Sequence, residues 1–205
     1  MKNNKKTIAC ILNIILIILE IIGLFMCISR YNKVDIVYYT VDSNLLALVT
    51  SVIYLVNLIS KKKIKRYVSI LKYISTLSVT VTFLVVLFIL APMYNFIYKY
   101  LLFYNELLYY HTLCPIIAFI SFVFFEEHKI KGIKDNIRAM YFTFIYAGIF
   151  IILNVLNIVE GPYPFLMVYK NSIYISFIWL FAIIGGTFTI SKIIEIAKNK
   201  LKQQM

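Results

Sequence analysis

Two polar stretches in an otherwise apolar chain contain the side chains of a nucleophile and a base. The first, YYTVDSNLLALVT, covers residues 38–50 and places Thr40, Asp42, Ser43 and Asn44 close together. Thr40, Ser43 and Asn44 share one helical face, because they are spaced by three and four residues, whereas Asp42 points away. A threonine hydroxyl becomes a nucleophile when a neighbouring base accepts its proton.

The second stretch, LLYYHTLCPIIAF at residues 107–119, supplies the candidate base, His111. Pro115 lies four residues later, has no N–H for the carbonyl of residue 111, and crowds that carbonyl. We therefore expect the helix to kink here and the His111 carbonyl to accept another partner. The other histidine, His128, lies among charged residues and is interpreted as solvated surface.

Both stretches also have interpretations without catalysis. Thr, Asp, Ser and Asn favour helix starts, so the first stretch can be an N-terminal cap. The apolar lead-in VDIVYY instead favours a helix that has begun before Thr40. An intramembrane histidine is often a hydrogen-bonding partner between helices. These alternatives stay open at the level of sequence.

The composition indicates that membrane helices position these residues. The mean hydropathy is +0.86, and only 15% of the residues are charged. Apolar runs recur along the chain, approach the ~20 residues that cross a bilayer, and lack the alternation of barrel strands. We predict an all-α polytopic membrane protein, a single domain over residues 1–205. Its six transmembrane helices are expected near residues 7–29, 36–59, 68–92, 106–126, 138–158 and 172–196.

The basic residues predict the orientation. Of the 21 Lys and Arg residues, all but Arg30, Lys33, Lys99 and Lys170 lie at the termini or around the loops after the second and fourth spans. The positive-inside rule then places both termini in the cytoplasm, which requires an even number of spans. The same distribution accounts for the net charge of +12 without nucleic acid. Frequent Lys, Asn and Ile are typical of AT-rich bacterial genomes, so we predict a multi-pass plasma membrane protein of a bacterium.

The cysteines and the first-span carboxyl group do not indicate a cofactor. Cys10, Cys27 and Cys114 lie within or beside apolar spans, without CxxC spacing or neighbouring ligands. We interpret them as small core residues and expect neither a metal nor a cofactor. Glu20 lies within the first span, where a single carboxyl group is a weak candidate for a proton relay, and we expect no pairing with Lys72.

The predicted topology places Thr40 and His111 at a similar depth. The second and fourth spans both run inward from the outer side, and Thr40 and His111 lie one to two turns below their outer ends. A hydroxyl and an imidazole at one level in neighbouring helices can form a nucleophile–base pair if the helices are rotated to bring them together. The outer loops, residues 93–106 and 160–170, are aromatic, which suits a membrane interface. We expect a short helix within residues 93–106.

Three motifs in order, YYTVDSNLL, YYHTLCP and GPYPFL, resemble those of the androgen-induced membrane protein family, which includes the androgen-dependent regulator of tissue factor pathway inhibitor. The resemblance covers nearly the whole chain. It implies a six-span transmembrane threonine hydrolase that cleaves fatty acid esters of hydroxy fatty acids. It assigns the nucleophile to Thr40 and the histidine to His111. Thr112 and Pro115 complete the His-Thr-x-x-Pro pattern, and Tyr163 falls in the wall of the site.

The residues and the resemblance together predict an intramembrane hydrolase of lipid or fatty-acyl esters, with membrane lipids around a site near the outer leaflet. His111 would take the proton of Thr40, whose oxygen attacks the ester carbonyl.

Candidate supporting residues lie beside the predicted pair. Asn44, Ser43 and Thr112 are candidate donors to the oxyanion. Asp42 is a candidate for orienting His111, although its helical direction disfavours a simple triad.

The alternative is a non-catalytic membrane protein, either a small transporter or a lipid-binding or structural protein. The six glycines and the lack of an internal repeat make a transporter the weaker choice.

Overall fold

The computed structural model describes residues 2–60, 64–127 and 130–203. Lys61, Lys62, Lys63, His128 and Lys129, which the sequence placed in loops, lie outside the described residues. The described residues form helices and connecting loops without a β-strand. The helices are α1 (Lys2–Tyr31), α2 (Tyr39–Ile59), α3 (Arg66–Met93), α4 (Tyr98–Phe103), α5 (Asn105–Phe125), α6 (Ile133–Ala139), α7 (Tyr141–Val155) and α8 (Ile173–Gln203).

This architecture confirms the prediction of an all-α polytopic membrane protein. Within the described ranges, α1, α2, α3, α5 and α8 are each long and apolar enough to cross a membrane. Helices α6 and α7 meet at an angle of 43° and supply a sixth span when the bent pair is counted as one. The sequence did not predict this bend, because a hydropathy pattern does not record a change of direction. The short helix expected within residues 93–106 is α4.

Helix α3 occupies the centre of the bundle. It packs against α2, α5, α6, α7 and α8, whereas α1 packs against α2 and α5. Helix α3 is rich in serine and threonine, which allow neighbouring helices to approach closely. Four of the six hydroxyls donate to carbonyls within the helix, as Ser78 does to the Ile74 carbonyl at 2.8 Å and Thr80 to the Thr76 carbonyl at 2.7 Å. These four hydroxyls are satisfied without water, whereas those of Ser69 and Thr76 have no partner among the described residues.

A buried group of polar side chains, the Lys72 cluster, joins four helices. The cluster consists of Lys72, Asn13, Ser51, Ser121 and Glu126. The Lys72 ammonium donates to Asn13 Oδ1 and to Ser51 Oγ, both at 3.0 Å, and lies 3.7 Å from Glu126 Oε1. Asn13 Nδ2 donates to Glu126 Oε1 at 3.2 Å and to Ser121 Oγ at 3.0 Å. Every member is buried, so the charges are stabilised by one another rather than by water.

The contacts of Glu126 show that the first part of α1 and the last part of α8 lie on one side of the bundle. Asn13, near the start of α1, contacts the Glu126 carboxylate. Lys198, near the end of α8, donates to the Glu126 carbonyl at 2.8 Å and to the Phe122 carbonyl. We call this the terminal side and the other end of the bundle the opposite side. A shared terminal side agrees with the even number of spans that the charge pattern requires.

Glu20 lies deeper in α1 and is also buried. Its carboxyl group contacts the Cys114 thiol, and within the described residues its Oε1 atom has no hydrogen-bond partner. The ion pair of Lys72 is with Glu126 instead.

Candidate functional site

Thr40 lies in the first turn of α2, on the opposite side of the bundle. The helix begins at Tyr39 rather than at residue 36, so the prediction that Thr40 lies a full turn inside the helix was wrong. The side chain of Tyr38, which precedes the helix, does not cap it. Instead, tyrosine hydroxyls accept the first two N–H groups, Tyr146 from Tyr39 at 3.0 Å and Tyr163 from Thr40 at 3.4 Å. Residues distant in sequence therefore accept from the N–H groups that have no partner within the helix at its start.

His111 lies in a widened turn of α5. Residues Tyr109–Leu113 form a π-helical turn, and the Cys114 N–H donates to the Tyr109 carbonyl five residues back. In this pattern the next carbonyl, that of Tyr110, would accept from residue 115, which is proline and has no N–H. Asn44 Nδ2 donates to the Tyr110 carbonyl at 3.2 Å instead. The helix accommodates Pro115 by widening, and the structure shows the outside partner at Tyr110 rather than at His111.

The structure brings the two predicted residues into contact. The Oγ1 atom of Thr40 lies 3.3 Å from Nε2 of His111, and both residues are buried, with 8% and 6% of their surfaces exposed. The other ring nitrogen, Nδ1, lies 2.6 Å from the Leu101 carbonyl oxygen. A carbonyl only accepts, so Nδ1 carries the proton and Nε2 presents a lone pair to the Thr40 hydroxyl. This is the arrangement in which an imidazole accepts the proton of a nucleophile.

Tyr163 contributes a third polar group beside Thr40. Its hydroxyl lies 3.5 Å from Thr40 Oγ1, and its ring stacks on Phe165 with centroids 5.1 Å apart. Tyr163 belongs to the loop between α7 and α8, and burial raises the pKa of its hydroxyl to about 12. The phenol therefore stays protonated at neutral pH and has a proton to donate.

The structure gives two of the predicted oxyanion donors, Asn44 and Ser43, acceptors in the backbone. Asn44 Nδ2 donates to the Thr40 carbonyl at 2.7 Å as well as to the Tyr110 carbonyl. Ser43 Oγ donates to the same Thr40 carbonyl at 3.1 Å and lies 3.0 Å from Thr82 Oγ1. These side chains hold the backbone around Thr40, and Oδ1 of Asn44 is an acceptor without a partner among the described residues.

Thr112 and Asp42 also lie away from the reacting pair. Thr112 Oγ1 donates to the Leu102 carbonyl at 2.7 Å, which fastens α5 to α4. Asp42 is half-buried and, within the described ranges, its carboxyl group has no hydrogen bond or ion pair. The partner of His111 Nδ1 is the Leu101 carbonyl, so Asp42 does not occupy the orienting position.

An apolar cavity of about 320 Å³ opens beside Thr40. Its walls come from α3, α7, α8 and the loop that carries Tyr163. Aliphatic and aromatic side chains form most of the lining, including Val86, Ile151 and Trp179. The volume lies within the usual range for small-molecule sites. Thr40 and Tyr163 stand in the wall of this cavity and His111 lies behind Thr40, so an apolar molecule in the cavity would meet the hydroxyl that contacts the imidazole.

Gly161 sets the backbone path of the loop that carries Tyr163. A Cβ atom added to Gly161 would lie 2.6 Å from the carbonyl carbon and oxygen of Leu166, which is closer than a Cβ atom approaches atoms to which it is not bonded. We expect Gly161→Ala to destabilise the protein by about 1–3 kcal/mol, as overpacked positions do. Thermal unfolding in detergent measures the loss. Gly148→Ala in α7 is the matched control, because an added Cβ meets nothing within 4 Å there; equal melting temperatures for the two variants would contradict this account.

Comparison with models of known protein families, with curated proteins and with solved structures found no match.

Sequence reasoning missed the groups that orient the pair. The Leu101 and Leu102 carbonyls were missed because backbone atoms leave no residue-type signal. Tyr146, whose hydroxyl accepts from the Tyr39 N–H and donates to the Val37 carbonyl at 2.6 Å, resembles any other interfacial tyrosine in the sequence. The short helix expected within residues 93–106 was the available signal for α4, but it did not indicate a contact with His111.

Proposed function

We propose that the protein is an intramembrane hydrolase that cleaves lipid or fatty-acyl esters with Thr40 as nucleophile and His111 as base. The observation that carries the proposal is the 3.3 Å contact between Thr40 Oγ1 and His111 Nε2, with Nδ1 of the same ring directed at a carbonyl. A buried hydroxyl–imidazole contact of this polarity is the signature of an activated nucleophile. The three motifs that resemble those of the androgen-induced membrane protein family support the same assignment.

The first half of the proposed reaction forms an acyl-enzyme. Thr40 Oγ1 attacks the carbonyl carbon of the ester as His111 Nε2 accepts the hydroxyl proton. The carbonyl oxygen becomes an oxyanion, to which the Tyr163 hydroxyl donates a hydrogen bond. When the tetrahedral intermediate collapses, the bond to the leaving oxygen breaks and His111 returns the proton to that oxygen. The products are a free alcohol and an ester between the acyl group and Thr40.

The second half restores the enzyme with water. His111 Nε2 takes a proton from a water molecule, whose oxygen attacks the acyl carbon. Collapse of the second intermediate breaks the bond to Thr40 Oγ1, which regains the proton from His111. The carboxylic acid is the second product. The position of Thr40 at a helix start adds to the stabilisation of negative charge in both steps, because the N-terminal end of a helix is partly positive.

The apolar cavity supports the choice of a lipid substrate. Its walls offer few hydrogen-bonding groups, and an acyl chain gains about 25 cal/mol per Å² of apolar surface removed from water. With the termini in the cytoplasm, Thr40 and His111 would face the outer leaflet of a bacterial plasma membrane. A site close to the membrane surface gives water a short route to the acyl-enzyme.

Chemical trapping tests the proposal. The purified protein in lipid nanodiscs is incubated with a fluorophosphonate, whose phosphorus bonds to an activated hydroxyl oxygen as fluoride leaves. We expect mass spectrometry to locate the adduct on the peptide that contains Thr40, and prior labelling to stop the hydrolysis of fatty-acyl esters. An adduct on a different residue, with ester hydrolysis intact, would overturn the assignment.

The second candidate function is lipid binding without turnover, which the apolar cavity by itself also favours. Such a protein would retain a labelled fatty-acyl ester in stoichiometric amount and return it unhydrolysed after prolonged incubation. Release of free fatty acid from the same ester excludes this alternative, so one incubation separates the two functions.

A further inference from the structure

The last turn of α4 holds the ring of His111. The Leu101 carbonyl lies 2.6 Å from His111 Nδ1, and the Leu102 carbonyl accepts from Thr112 Oγ1 at 2.7 Å. These carbonyls belong to the end of a helix, where carbonyls lack partners within the helix itself. The position of α4 therefore decides whether His111 carries its proton on Nδ1.

A helix as short as α4 does not hold this position by itself. Six residues lie far below the length at which an isolated helix is stable in water. Besides its two carbonyl contacts and the packing of Leu102 in the core, α4 is held through the Tyr100 hydroxyl and through the chain junction that follows the helix. Both converge on one side chain from another helix, that of Arg30 at the end of α1.

Arg30 contacts α4, α5 and the junction between them. One guanidinium nitrogen, Nη2, donates to the Tyr100 hydroxyl of α4 at 3.0 Å. The other, Nη1, donates to Glu106 Oε1 in the first turn of α5 at 2.9 Å, and the Glu106 side chain is only 3% exposed. The guanidinium carbon also lies 5.4 Å from the ring centroid of Tyr104, which connects the two helices. The planar guanidinium of arginine can donate from two nitrogens to two separate acceptors, whereas lysine has a single ammonium nitrogen.

We propose that Arg30, through Tyr100 and Glu106, is a positioning residue that fixes the tautomer of His111. The clamp formed by these three side chains keeps the Leu101 carbonyl against Nδ1, which leaves Nε2 free to accept from Thr40. When the clamp is broken, α4 moves and His111 also populates the tautomer with its proton on Nε2. That tautomer cannot accept the Thr40 proton.

The kinetic consequence rests on the proposed hydrolase function, but the consequence for the tautomer does not. Arg30 and Tyr100 do not line the cavity beside Thr40. Breaking the clamp should therefore reduce kcat while leaving KM nearly unchanged. The fraction of His111 that can accept the Thr40 proton falls, whereas the contacts with the substrate stay the same. A general loss of folded protein would lower the active concentration without changing the nitrogen signals of the folded fraction.

Nitrogen NMR of His111 tests the proposal. The chain contains two histidines, so ¹⁵N-histidine labelling in a His128→Gln background leaves the signals of His111 alone. The variants are Arg30→Gln and Tyr100→Phe, and Tyr100→Phe keeps the ring and removes one hydroxyl if Arg30→Gln fails to fold. Lys33→Gln is the matched control, because Lys33 is a neighbouring cation with a side chain 66% exposed.

We expect a protonated Nδ1 and an unprotonated Nε2 in the parent protein and in Lys33→Gln, and mixed signals in both clamp variants. Turnover in Arg30→Gln should fall about tenfold or more, as small misplacements of catalytic groups do. Nitrogen spectra that are unchanged in both clamp variants would overturn the proposal, as would equal changes in Lys33→Gln. A parent protein without ester turnover would contradict the hydrolase function, while the spectra would still decide the role of Arg30.

Discussion

Replacing Thr40 with alanine is expected to abolish ester hydrolysis, and replacing His111 with alanine is expected to reduce it almost as far. Each change should lower kcat by about 10³-fold or more, because nucleophile and base act as a unit. The double variant should be no worse than either single variant for the same reason. Release of fatty acid from fatty-acyl esters by protein in nanodiscs measures the rates, and fluorophosphonate labelling measures the reactivity of residue 40.

Graded variants separate the chemistry of this pair from its packing. Thr40→Ser retains a hydroxyl and should keep part of the activity, whereas Tyr163→Phe should lose about 10²-fold by removing the donor to the oxyanion. Thr50→Ala is the matched control for the loss of a buried threonine hydroxyl on α2. The Thr50 hydroxyl donates to Ser75 Oγ at 2.7 Å and lies 3.3 Å from the Ala47 carbonyl oxygen, away from His111. The Thr50→Ala protein should hydrolyse esters at the parent rate.

Two outcomes would contradict the nucleophile–base assignment. Parental turnover in Thr40→Ala would show that another group attacks the ester. A double variant whose loss equals the product of the two single losses would show that the residues act independently, because coupled groups are not additive. Either result would leave the 3.3 Å contact as a hydrogen bond between helices, which was the alternative for His111 at the level of sequence.

The membrane architecture could be predicted from the sequence because bilayer thickness imposes a length on each apolar run. The helix starts could not be predicted as well. Val37 and Tyr38 look like membrane helix in composition, yet α2 begins at Tyr39 because Tyr146 and Tyr163 accept the first N–H groups from outside the helix. Local sequence does not reveal partners that lie more than a hundred residues away.

The predicted topology placed Thr40 and His111 at a similar depth, but a similar depth does not by itself bring two side chains into contact. Depth follows from counting residues, whereas contact depends on helix rotation, which the packing of α2 and α5 sets. Pro115 marked the right turn of α5, but the widening of the helix shifted the outside partner to the Tyr110 carbonyl. A count of missing N–H groups assumes regular helix geometry and therefore misplaces a partner by one residue.

Lys72 shows a further limit of sequence reasoning. When the basic residues are counted to predict the orientation, Lys72 is one more basic residue at the cytoplasmic ends of the spans. It lies one turn inside its predicted helix. In the structure it is fully buried, and its ammonium contacts Asn13, Ser51 and Glu126. Glu126 in turn was the last residue of the fourth predicted span, next to other charged residues. The positive-inside rule counts charges but does not distinguish a lysine that faces lipid headgroups from one that holds helices together.

Replacing Lys72 with methionine should therefore destabilise the protein by about 3–5 kcal/mol, because it leaves a buried carboxylate without its cation. Methionine has a similar length and removes the charge without a large cavity. For a chain of this size the melting temperature in detergent should fall by about 10 °C. Lys170→Met is the matched control, because the Lys170 side chain is 62% exposed and lies 3.5 Å from an exposed Glu160. Exposed pairs of this kind contribute about 1 kcal/mol or less.

A second substitution identifies the cause of the loss. Adding Glu126→Gln to Lys72→Met removes the unpaired carboxylate, while the amide oxygen still accepts from Asn13 and Ser121. The double variant should therefore melt at a higher temperature than Lys72→Met alone. Equal melting temperatures for these two proteins would show that the packing of Lys72, and not its charge, stabilises the bundle. A Lys72→Met protein as stable as Lys170→Met would show that the four helices are held together without the Lys72 cluster.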